Sequence, residues 1–87
     1  MIEIKKINNN TFEVHVSTQQ GDTSHEVSVS DECWQDLTGD KISKEDLVKK
    51  SFDFLLERES NQSILKSFDL MDINKYFPEF SEVIKHD

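Results

Sequence analysis

Through the first thirty residues apolar side chains recur at every second position. Ile2 and Ile4, then Phe12, Val14 and Val16, then Val27 and Val29 alternate with polar residues, the pattern of strands that bury one face. Two clusters interrupt the alternation with turn-forming residues, Asn8-Asn9-Asn10 and Gln20-Gly21-Asp22. The segment therefore predicts a three-stranded antiparallel meander. A three-residue Asn loop sets Ile4 opposite Val14 and Ile2 opposite Val16. A second turn centred between Gln20 and Gly21 sets Phe12 opposite Val29, Val14 opposite Val27 and Val16 opposite His25, so every apolar residue falls on one face. The same registers put Lys5 across from Glu13 and His15 between Glu3 and Glu26 on the outer face.

After Val29 the period changes. Ser30 and Asp31 supply a helix start, Cys33, Trp34 and Leu37 share one side, and Gly39 terminates what reads as a helix of about two turns. Ser43 caps a longer helix, with Glu45 and Asp46 in its first turn, where the dipole favours them. On it Leu47, Val48, Phe52, Phe54, Leu55 and Leu56 spread over an arc of roughly 200°, wider than a helix resting on one surface requires. That helix is predicted to be pressed from two sides, by the sheet and by either the C-terminal segment or a second copy of the chain. Asn61 or Ser63 can restart a helical turn through Ile64 and Leu65. Asp69 can cap another through Leu70, Ile73 and Tyr76, ending before Pro78. Leu65, Phe68, Ile73, Phe77 and Phe80 give this tail enough apolar surface to cover one face. The expected fold class is α+β, one domain over residues 1–87: meander, short helix, long central helix and C-terminal helical turns.

Charge narrows the partners. The net charge of −8 is evenly spread, with four basic and eight acidic side chains in residues 1–44 and six and ten in residues 45–87. Binding to phosphate backbones needs clustered Lys and Arg, and Arg58 is the sole arginine, so nucleic acid is disfavoured. The longest apolar run, Phe54-Leu55-Leu56, is far too short for a bilayer. The single cysteine, Cys33, cannot form an internal disulfide, and the N-terminus reads as a strand, not as a secretory signal. A soluble protein of a reducing, cytoplasmic setting is expected.

No residue set carries a strong chemical signature. His15 between Glu3 and Glu26 has metal-ligand chemistry, but a ladder of mixed charges is the ordinary outer face of a small sheet. Cys33 has no local base to make a thiolate and reads as a half-buried structural thiol. Trp34 either anchors a partner or closes the core edge. Ser51 interrupts the apolar arc with a small side chain that permits close approach of another element. Arg58, on the same side, reads as a tether to a carboxylate such as Asp69 or Glu79, with an anion site as the other reading. Trp34, Ser51 and Arg58 are the candidate partner contacts. No catalytic residues, metal ligands or cofactors are expected.

The run Phe54-Leu-Leu-Glu-Arg-Glu59, Ser63-Ile-Leu65, Phe68-Asp-Leu70, Ile73 and Tyr76-Phe-Pro-Glu-Phe80, preceded by Phe12-Glu-Val-His-Val16 and His25-Glu-Val-Ser-Val29, resembles a group of small uncharacterised bacterial proteins. That resemblance implies no particular activity. Residues 25–59, with Gly39 at the turn and Ser43 as cap, also resemble ribbon-helix-helix regulators, in which strand residues such as Glu26, Ser28 and Ser30 would face DNA. The leading expectation is a non-catalytic accessory module that binds another protein, with a homodimer as a further option. A DNA-binding regulator or antitoxin of ribbon-helix-helix type is the alternative.

Overall fold

In the computed structural model, which describes residues 1–85, three strands form the expected meander: β1 (Ile2–Asn8), β2 (Thr11–Thr18) and β3 (Gly21–Ser28). Two helices follow, α1 (Asp31–Thr38) and α2 (Lys44–Arg58). The chain then makes a 3-10 turn at Asn61–Ser63 and enters a short strand, β4 (Ser67–Asp69), which pairs parallel with β3. A second 3-10 turn at Leu70–Asp72 leads into α3 (Ile73–Tyr76) and α4 (Phe80–Lys85). Strand order is β1-β2-β3-β4. The fold is α+β.

The helix boundaries follow from local chemistry. Ser30 Oγ accepts from the Cys33 N–H at 3.1 Å, and Ser43 Oγ from the Asp46 N–H at 3.1 Å. Each satisfies one of the backbone donors that a helix start leaves open. Gly39 closes α1 at φ 61°, its N–H bonded to Gln35 O; a Cβ is disfavoured in that left-handed conformation. Asp69 forms a reciprocal capping box with Asp72. One lysine fastens these pieces together. The Lys44 ammonium reaches Asn9 O at 3.1 Å, Asn10 Oδ1 at 2.9 Å and the Asp31 carboxylate, tying the first hairpin turn to the starts of both helices.

From Ile2 to Lys6 the β1–β2 register is the one the alternation predicts, with Ile2 opposite Val16, Glu3 opposite His15, Ile4 opposite Val14 and Lys5 opposite Glu13. The expected three-residue Asn loop is corrected: the register shifts between Lys6 and Asn8, Asn8 pairs with Thr11, and Asn9-Asn10 form the turn. The β2–β3 register corrects the expectation by two residues. Phe12 lies opposite Val27, Val14 opposite His25 and Val16 opposite Thr23, because Thr18 pairs with Gly21 and leaves Gln19-Gln20 as the turn. The Gln20 N–H donates to Thr18 Oγ1 at 3.1 Å, and Gly21, where β3 begins, takes φ 124°, a conformation that glycine accommodates. A shift of two keeps every side chain on its face. It does move the neighbours: His15 faces Glu3 and Ser24, while Glu26 faces Glu13.

One core joins sheet and helices. Phe12, Val14, Val16, Val27 and Val29 are buried in the same cluster as Leu47, Val48, Phe52 and Leu55 of α2. The far side of α2 meets the tail, as its wide apolar arc requires. Phe54 packs edge-on against Phe80 (5.2 Å between centroids) and Phe77 (5.8 Å). Two features of the tail depart from the expectation. It contributes the strand β4, and Leu65 turns outward, with about half of its surface exposed at 51%.

Candidate functional site

The expected contact residues separate once placed. Ser51 is fully buried, and its hydroxyl donates to Leu47 O at 2.8 Å. It serves close packing and offers no surface to a partner, so its expected role as a contact is corrected. Trp34 is half-buried, and its Nε1–H donates to Ile42 O at 2.7 Å, which closes the α1–α2 connection over the core edge. Arg58 lies over the Phe54 ring at 3.6 Å, donates to Phe54 O at 3.1 Å and approaches Glu79 at 3.6 Å. It links the end of α2 to the tail through Glu79, not Asp69. Ser51 and Arg58 share α2 but Ser51 is enclosed, and Trp34 is on α1, so the three form no common site.

Residues with chemical potential are occupied structurally. His15 Nδ1 lies 3.1 Å from Ser24 Oγ and Nε2 3.7 Å from Asp22 on the outer face. Among the described residues no cluster of three or more His, Cys, Asp or Glu is arranged to hold a metal. Burial pushes the Cys33 thiol up from 9.0 to about 11, reinforced by the negative charges of Asp69 and Asp36. Folded protein should therefore resist alkylation at about pH 8 and react on denaturation; rapid labelling of the native state would contradict this burial. The raised value also sets a stability window. The unfolded thiol ionises first, so this group's contribution is complete below about pH 9 and falls as pH rises towards 11.

His25 is the one buried histidine among the described residues. Its Nδ1 lies 2.7 Å from Leu65 O, and because a carbonyl only accepts, Nδ1 carries the proton. In the neutral ring Nε2 then accepts from the Thr23 hydroxyl at 2.8 Å, whose oxygen in turn accepts from Asn61 Nδ2 at 3.0 Å. The relay binds the second hairpin to the start of the tail. Sequence pattern placed His25 on the inner face but gave no sign of Asn61, which had read as a helix start.

A groove lies open where α2 ends and the tail begins. Leu55, Ile64, Phe68, Ile73 and Phe77 form its floor, and its volume is about 390 Å³. Leu65 and Tyr76, exposed at 51% and 68%, stand at its margin. Scattered exposed apolar residues are ordinary; here two of them continue a concave apolar surface. Glu59 and Asp72 add carboxylates to the lining. Lys75 and the Asp69 N–H, both bonded to Asp72, hold its carboxyl below the usual value, so it stays charged at neutral pH.

Comparison with protein-family models, curated proteins and solved structures gives no match.

The groove's chemistry is apolar contact with negative charge at its edge. It can receive one or two aliphatic or aromatic side chains and pair an adjacent cation. Sequence reasoning assigned Leu65, Phe68, Ile73 and Phe77 to covering the core and missed the groove. Periodicity identifies apolar residues without saying which of them tertiary packing leaves uncovered. Among the described residues, no helix is long and apolar enough to cross a membrane.

Proposed function

We propose that this chain is a non-catalytic protein-binding module, a member of the bacterial group it resembles, and that it works in a reducing cytoplasm. Its groove takes a short apolar segment carrying Lys or Arg from another protein. The supporting observation is the union, in one concavity, of an apolar floor, the exposed Leu65 and Tyr76, and the carboxylate of Glu59, with Asp72 already paired to Lys75 beside it. A chain of net charge −8 favours a basic ligand segment and speeds its encounter. The non-catalytic reading draws on the state of the reactive groups: Cys33 is held as a thiol, and both ring nitrogens of His25 are engaged within the fold.

A ribbon-helix-helix regulator draws less support. In that architecture the strand preceding the two helices pairs with its twin, whereas β3 has β2 on one side and β4 on the other.

Selection from a random peptide library tests the groove. Enriched peptides are expected to combine apolar anchors with Lys or Arg. L65D should abolish their binding, and E59K should weaken it roughly tenfold, the effect of losing about 1.4 kcal/mol. Peptides that bind both variants as tightly as the wild type would exclude the groove as the site.

A further inference from the structure

Strand β1 ends the sheet on one side, and its open edge has a specific pattern. Met1 and Ser17 exchange backbone bonds, Met1 N to Ser17 O at 2.7 Å and Ser17 N to Met1 O at 2.8 Å. Antiparallel ladders alternate bonded and non-bonded pairs. Met1, Glu3 and Lys5 therefore direct their N–H and C=O groups towards β2, and Ile2, Ile4 and Lys6 direct theirs outward. Ile2 and Ile4 are only half-buried, although Val16 and Val14 opposite them are fully buried. An edge of this kind is a template for another strand.

We propose that β1 pairs antiparallel with β1 of a second copy, about a two-fold axis at Ile4, to form a homodimer with one continuous sheet. The register follows from backbone and charge together. Only outward-facing residues can bond across the edge, which leaves three two-fold pairings with more than one bonded residue pair. Pairing Ile2 with Ile4 sets Glu3 against its own copy, and pairing Ile4 with Lys6 sets Lys5 against its own copy; like charges directly opposite destabilise a sheet. Pairing Ile4 with Ile4 and Ile2 with Lys6 engages all three outward residues of each chain. It sets Glu3 opposite Lys5 twice, by symmetry. It also brings Met1, exposed at 83%, towards Ile7, exposed at 50%, at the irregularity that follows Lys6. The surface is self-complementary, as an isologous interface must be.

The 87-residue chain should sediment as a dimer of twice 10.2 kDa. E3K sets lysine against lysine across the axis and K5E sets glutamate against glutamate, so each alone should weaken dimerisation at least tenfold. An equimolar mixture of the two variants places the lysines of one against the glutamates of the other and should restore the dimer. Amide exchange of the wild type gives a test that needs no variant. Protection at Ile2, Ile4 and Lys6, whose N–H groups face outward in the monomer, should rise with protein concentration. A wild type that stays monomeric at millimolar concentration overturns the proposal. So does a dimer insensitive to both substitutions, a mixture that fails to reassociate, or edge amides whose exchange ignores concentration. Groove variants such as L65D leave this edge intact, so failure of the groove reading and failure of the dimer are separately visible.

Discussion

Replacing Phe80 with Ala is expected to destabilise the protein by about 3–5 kcal/mol, the range for removing a fully buried phenyl ring. Phe80 is fully buried and meets the Phe54 ring edge-on at 5.2 Å. It belongs to a six-residue terminal helix that cannot hold itself together in isolation. The ring thus anchors α4 and closes the far side of α2. A chain of this length has a total stability of roughly 4–13 kcal/mol, so F80A should lower the melting temperature by at least about 12 °C. Val83 on the same helix is 40% exposed, and V83A should change stability by no more than about 1 kcal/mol. Urea titration of both variants separates the outcomes. Equal, small effects would mean that the tail merely rests on α2.

The second large effect is expected at Asn61. Its amide donates to Gly21 O at 3.1 Å and to Thr23 Oγ1 at 3.0 Å, and its Oδ1 lies 3.4 Å from Thr18 Oγ1. The residue is almost completely buried, so N61A removes three hydrogen bonds at once, although Thr18, Gly21 and Thr23 keep their bonds to one another and to His25. A cost of about 2–3 kcal/mol follows. The relay from Asn61 through Thr23 to His25 predicts coupling: N61A and T23V together should cost less than the sum of the two alone, by about 1 kcal/mol. Denaturation of the two single variants and the double variant closes the cycle. Additive effects would show that the three side chains act independently.

The two sites differ in how far they could be read in advance. Phe80 stood out as part of an aromatic-rich tail that the broad face of α2 needed. Asn61 did not, because a lone Asn after a helix reads as a cap or a turn. Its burial depends on the hairpin turn at Gln19-Gln20, which is forty residues away and offers Gly21 O and Thr23 Oγ1. The groove was hidden for a related reason. Leu65 looks like a core residue by composition, but its carbonyl is taken by His25, and the chain passes directly into β4. With a single apolar residue, Phe68, the three-residue β4 has no alternation to recognise.

What the sequence determined by itself was local: the strand faces through a period of two, the helix limits through Ser30, Gly39, Ser43 and Asp69, the β1–β2 register from Ile2 to Lys6, and the two-sided packing of α2. These depend on backbone donors, side-chain spacing and turn chemistry within a few residues. Tertiary structure decided the β2–β3 register, because a slip of two leaves every side chain on the same face and alternation cannot detect it. It decided the parallel pairing of β4, the burial of His25 and Asn61, and the exposure of Leu65 and Tyr76 beside an apolar floor. Each of these depends on contacts between segments far apart in the chain, where hydrogen-bond partners and free surface are fixed only once the sheet, α2 and the tail have packed together.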